Sequence, residues 1–159
     1  NMSDRIVVMN QGRFEQIGAP EDVYERPKTR FVAGFIGTGA LFEGAIAADL
    51  GDTVVVETPC GRMLSGSAPD AAPGRKALVS VHAERIRYGL EEAPGFSLQA
   101  EILSHRFAGS VLKTELRLNS GKTITVNGSA ALASLPPPGS RVFVYWAAKD
   151  AALILEADA

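Results

Sequence analysis

After residue 39 the chain stops supporting a helix. Apolar residues recur at alternate positions in short runs, and Gly, Pro, Asp or Asn closes each run. A period of two puts one face of an extended strand on a core, whereas a helix would scatter the same residues around its axis. The reading is therefore mainly β, with strands expected at 41–47, 53–57, 77–81, 85–88, 98–103, 111–118, 123–126, 142–146 and 152–155. The stretches 65–73 and 133–138, rich in small residues and proline, read as exposed loops.

The first forty residues read differently. Ile6-Val7-Val8-Met9 is a short β-branched run, Asn10-Gln11-Gly12-Arg13 a tight turn, and Phe14-Glu15-Gln16-Ile17 the returning strand of a hairpin. Pro20 suits the first position of a helix, with Glu21 and Asp22 where the helix dipole favours anions. Arg26-Pro27 ends that helix. A second one is expected from Thr29, as N-cap, to Ile36, with Gly37 as its stop. Phe31, Val32, Phe35 and Ile36 would share one face.

The β part reads as two related halves, about 40–90 and 96–156. Gly61-Arg62 corresponds to Gly121-Lys122, Pro73-Gly74-Arg75 to Pro138-Gly139-Ser140, and a V-x-V strand follows each Pro-Gly turn. Two copies are too few for a solenoid, and two sets of about five short strands suit small barrels of the OB type.

Composition narrows the function classes. With 46% hydrophobic residues the chain can bury a core. Its 16 Lys+Arg against 18 Asp+Glu give a net charge of −2, against a general nucleic-acid binder. The one cysteine, Cys60, excludes an internal disulfide and a multi-cysteine zinc site, and with two histidines, His82 and His105, a catalytic zinc would have to recruit carboxylates. No apolar run approaches the roughly 18–20 residues that span a bilayer, and no signal peptide is evident.

The stretch 3–37, SDRIVVMNQGRFEQIGAPEDVYERPKTRFVAGFIG, resembles the end of the ATP-binding domain of ABC importer ATPases of the polyamine, ferric-iron and sugar type. Asp4-Arg5-Ile6, Val8-Met9, Gly12, Gln16, Gly18, Pro20, Tyr24, Pro27, Phe31-Val32-Ala33 and Phe35-Ile36-Gly37 carry the resemblance. It is specific because every spacing must be met at once. In that family the segment precedes a regulatory region of OB-like barrels, the TOBE domain, which agrees with the reading of residues 39–159. The resemblance implies a tail of the nucleotide-binding domain at 3–38, a homodimer, contact with membrane subunits, and a cytoplasmic place on the inner face of the membrane. Departures are Ala19 where the family often has a Ser or Thr cap, Thr38-Gly39-Ala40-Leu41-Phe42 where an Asn is usual, and Val81-His82-Ala83-Glu84 in place of V-R-P-E.

The nucleotide chemistry is not in this sequence. G-x-x-x-x-G-K-[ST] is missing, since Gly109-Ser110-Val111-Leu112-Lys113-Thr114 lacks the second glycine. The Asp-Glu strand end, signature sequence and switch histidine are missing too. The chain thus reads as a C-terminal fragment without catalytic, metal or cofactor residues, and ATP and magnesium are implied only for its parent.

Contacts to a ligand or partner are expected at His82, Glu84, Arg85, Arg106 and Lys113. His82 and Glu84 would share a strand face beside Arg85, and Arg106 with His105 would lie near Lys113. Ordinary exposed charge is the favoured account of both groups. Cys60 has no evident neighbouring base, and Trp146 suits a barrel core better than base stacking. Two functions compete. A regulatory and dimerising module needs no bond chemistry. A small-ligand or oxyanion-binding barrel needs a buried basic cluster among His82, Arg85, Arg106 and Lys113. An OB-type nucleic-acid binder is the weakest. Without a nucleotide domain to cover it, segment 4–36 is expected to pack on another protomer or to be poorly ordered.

Overall fold

The computed structural model describes residues 5–36, 39–129 and 135–155. Gly37, expected as a helix stop, and the boundary near residue 38 lie outside them. Two strands, β1 (Ile6–Asn10) and β2 (Arg13–Gly18), form the hairpin, and two helices follow, α1 (Pro20–Glu25) and α2 (Arg30–Ile36). Ala19 gives α1 no side-chain cap. Thr29 caps α2, its hydroxyl accepting from the Val32 N–H at 3.2 Å. Gln16 is buried beneath the linker between them. It donates to Arg26 O at 3.1 Å and accepts from Lys28 N at 2.8 Å, so one side chain satisfies two loop groups.

Two five-stranded antiparallel sheets follow. The first runs β12 (Ala151–Leu155), β6 (Lys76–Val81), β3 (Ala40–Asp49), β4 (Thr53–Thr58), β5 (Gly61–Gly66). The second runs β7 (Arg87–Gly89), β11 (Arg141–Tyr145), β8 (Leu98–Ala108), β9 (Val111–Leu118), β10 (Thr123–Ser129). The edge positions are exchanged. β7, from the first half, pairs with β11, and β12, from the second half, pairs with β6.

Local geometry repeats between the halves. β3 is bulged between Ile46 and Ala48, and β8 between Ile102 and Ser104. Each bulge is clamped by its Pro-Gly turn. Ile46 exchanges main-chain bonds with Gly74 (2.8 Å) and Arg75 (2.9 Å), and Ile102 does so with Gly139 (2.7 Å) and Ser140 (3.0 Å). Gly74 and Gly139 have φ of 90° and 93°, a conformation that glycine adopts without strain. A single 3-10 turn ends each half's V-x-V strand, at Ala83–Arg85 and Ala148–Asp150.

One buried cluster fills both sheets. Trp146 joins them, stacked on Phe42 (5.5 Å between centroids), edge-on to Phe96 (4.9 Å), and donating Nε1–H to Leu64 O at 2.9 Å.

Three expectations need correction. Residues 61–66 are the strand β5, where the sequence reading had a turn and a loop. Its Gly, Arg and Ser residues mute the apolar signal, although Met63 and Ser65 are wholly buried. Residues 85–88 are not a continuous strand, because the 3-10 turn occupies Ala83–Arg85 and β7 begins at Arg87. Segment 5–36 packs on its own barrel. Ala33 of α2 is buried against Leu78 and Ile154, with Leu41 beside them, on the outer face of the first sheet. Val8, Val23 and Val32 form a small second core. The hairpin still leaves Val7, Met9 and Phe14 about half exposed or more, as Phe35 is on α2.

Gly44 tests the packing between β3 and β4. A Cβ there would lie 2.2 Å from Glu57 O, closer than backbone atoms permit. Gly44→Ala is expected to destabilise the barrel by about 1–3 kcal/mol in urea titrations. An unchanged midpoint would mean that the two strands are not held this close.

Candidate coupling joint

The sequence around residue 82 makes a corner. β6 ends at Val81, His82 keeps an extended backbone (φ −71°, ψ 144°), and the 3-10 turn then aims Glu84 and Arg85 outward. Gly39 passes so close to this turn that a Cβ would lie 2.3 Å from Ala83 N, which is why no larger residue fits. The last turn of α1 lies against the corner. The Tyr24 ring stacks on His82 with centroids 3.9 Å apart and planes 5° from parallel. His82 Nε2–H donates to Tyr24 O at 2.7 Å, which fixes the ring's orientation. The Tyr24 hydroxyl donates to Glu84 Oε2 at 2.5 Å. Arg85 grips Glu25, with Nη2 donating to Oε2 at 2.8 Å and Nη1 at 2.5 Å from Oε1, while Asp150 lies 3.9 Å away. That is the forked geometry of a strong Arg–carboxylate pair.

The electrostatics follow from these contacts. The hydrogen bond to Glu84, with burial and the Glu84 charge, pushes the Tyr24 hydroxyl up to about 12. Burial raises the Glu84 carboxyl, but the Tyr24 hydrogen bond, a backbone bond and the charges of His82 and Arg85 outweigh it, and the group sits below its ordinary value. The Glu25 hydrogen bond raises Arg85 further.

The five residues singled out by sequence fall into two groups. His82, Glu84 and Arg85 converge on α1. Arg106 and Lys113 are cross-strand partners on the β8–β9 hairpin, with Arg106 exposed. The buried basic cluster required of an oxyanion site does not form among the described residues. His105 is instead tied to Thr114 Oγ1 (2.9 Å) and Pro136 O (2.7 Å). Cys60 Sγ lies 3.0 Å from Ser120 Oγ, and Trp146 is core. The sequence reading missed Tyr24 and Glu25 as the other side of the joint. Tyr24 could have been found, since it is one of the positions carrying the family resemblance. It also missed Asp150, which faces Arg85 only because the halves exchange strands.

Residues 79–154 match the family model described as the TOBE domain. Residues 79–154 are thus similar to a TOBE domain. Over 94% of its length it is 32% identical to the spermidine/putrescine import ATP-binding protein PotA of Nostoc sp. (strain PCC 7120), covering 41% of that protein. The PotA of Rubrobacter xylanophilus is 34% identical over 96% of the chain and 41% of the relative. The ABC transporter ATP-binding protein YdcT of Escherichia coli (strain K12) is 36% identical over 92% of the chain and 37% of the relative. The chain thus spans about two fifths of the length of these curated relatives. Among solved structures, the cytoplasmic molybdate-binding protein ModG superposes with a TM-score of 0.65 over 76% of this chain and 99% of that one, at 17% identity. ModG therefore supports the OB-like TOBE fold alone. The chain is similar to ABC importer ATP-binding proteins over most of its length, and to the TOBE domain over residues 79–154.

The joint should respond to pH at both ends. Tyr24 is raised in the folded state, so its contribution is present below 10 and is lost as pH rises through about 12. Glu84 is lowered, so its contribution is present above 4.5 and is lost as pH falls through its folded value. Tyr24→Phe is expected to cost about 1 kcal/mol at neutral pH and to flatten stability between pH 10 and 12 in urea titrations. An alkaline limb identical to wild type would remove the Tyr24–Glu84 bond from the account.

Proposed function

We propose that this chain is the C-terminal regulatory and dimerising part of the ATP-binding subunit of an ABC-type importer of the polyamine, iron or sugar class. The observation that carries this reading is the joint. It ties a segment resembling the end of the nucleotide-binding domain to a TOBE barrel through a stacked ring pair, a carboxylate–hydroxyl bond and a forked ion pair. Such a joint transmits rigid-body displacement between the two parts, which is how a regulatory domain biases an equilibrium between open and closed dimers. The exposed Val7, Met9, Phe14 and Phe35 give the surface on which the rest of the nucleotide domain would pack.

ATP and magnesium would bind in that rest of the parent, because the residues here provide no phosphate-cradling loop, and no step is assigned to them. The membrane subunits of the importer would hold the protein at the inner face of the cell membrane. No helix among the described residues is long and apolar enough to cross a membrane itself. Nucleic acid is not a partner in this reading, given the net charge of −2.

Two measurements test it. Light scattering over a concentration series is expected to give a dimer, and a monomer throughout would remove the dimerising half. In the assembled importer, Arg85→Glu is expected to change the solute-stimulated ATPase rate about 5-fold or more while leaving nucleotide affinity alone. An unaltered rate would count against coupling through the joint.

A further inference from the structure

We propose that the groove beside Glu84 binds a small zwitterion with an apolar body, of the amino-acid class. This goes beyond the importer reading and does not require it. The groove has a volume of about 930 Å³, and Ile86, Leu90, Val111, Val126 and Leu135 form its apolar wall. Leu90 is 64% exposed, a large apolar side chain with little cover of its own.

Three polar groups on the lining define the ligand. Asn127 Oδ1 is buried with no donor among the described residues, and a turn of its side chain into the groove would meet an N–H there. Glu84 is an anion that uses Oε2 on Tyr24. Arg87 Nη1 donates to the main-chain O of Glu84 at 2.8 Å, which holds the guanidinium next to that residue. The lining thus presents one negative and one positive side chain together, beside an unmet acceptor and an apolar wall.

An α-amino acid carries its ammonium and carboxylate on one carbon. The ammonium suits Glu84 and Asn127 Oδ1, the carboxylate suits the remaining N–H groups of Arg87, and the side chain covers Leu90 and Val111. A simple cation would leave Arg87 facing like charge, and a simple anion would face the Glu84 carboxylate and leave Asn127 Oδ1 unmet. Occupancy has a consequence at the joint. Glu84 holds the Tyr24 hydroxyl through Oε2, so an ammonium on Oε1 draws on the carboxylate's charge and weakens that bond to α1.

The test is an amide-shift titration of the whole isotope-labelled chain with L-phenylalanine, phenethylamine and hydrocinnamate. Phenylalanine is expected to give saturable shifts at Leu90, Asn127 and Gly128, with the Tyr24 ring signals moving at the same midpoint. Each half-probe is expected to bind at least tenfold more weakly, as is phenylalanine to Arg87→Met or Asn127→Ala. The half-probes act on the wild-type chain, so the comparison survives even if a variant misfolds. Absence of saturation by phenylalanine overturns the site. Equal binding of either half-probe, or an Arg87→Met variant that binds normally, overturns the zwitterion assignment. A groove that titrates while Tyr24 stays still overturns the link through Glu84.

Discussion

Neither five-stranded sheet is completed by the half of the chain that supplies its other four strands. β7 crosses to the second sheet and β12 to the first. This exchange makes the two sheets one cooperative object, because a half that lost its partner would also lose an edge strand and expose the strand it covered. The shared core is its packing counterpart. Trp146 leaves the end of β11, in the second sheet, and hydrogen-bonds Leu64 of β5 in the first, with Phe42 and Phe96 on either side. It also brings Asp150 within 3.9 Å of Arg85, residues 65 positions apart in sequence.

The joint depends on the same frame. A phenol stacked on an imidazole is only as well placed as the main chain beneath each ring. Here His82 is placed by the end of a strand paired on both sides, and Tyr24 by a six-residue helix too short to stand alone. The barrel is therefore the rigid partner and α1 the dependent one. Buried Val23 and the Arg85–Glu25 fork keep the helix in register, while Gln16 fixes the loop that leaves it.

Much of the fold was legible in sequence, for identifiable reasons. Strands with clean alternation, such as Val111–Leu118, were found because one face is buried along their whole length. The repeat was visible in Gly61 and Gly121 and in the two Pro-Gly turns, since these positions need positive φ. β5 was hidden by its small residues, Gly61, Ser65 and Gly66; at Gly66 an added Cβ would lie only 3.1 Å from Ala151 O. The exchange of β7 and β12 was invisible, since nothing in a single strand's pattern names its neighbour. Of the site residues, His82, Glu84 and Arg85 stood out as charges crowded at a strand end. Their partners did not, because a contact spanning about sixty positions leaves no local trace.

The two 3-10 turns are equivalent in the repeat, 65 residues apart, yet they carry different side chains. Where one has His82, Glu84 and Arg85, the other has Ala147, Lys149 and Asp150. The second corner offers no ring to stack on and reverses both charges. The doubled scaffold thus offers α1 one acceptor among its two corners, and three side chains rather than the fold make that choice.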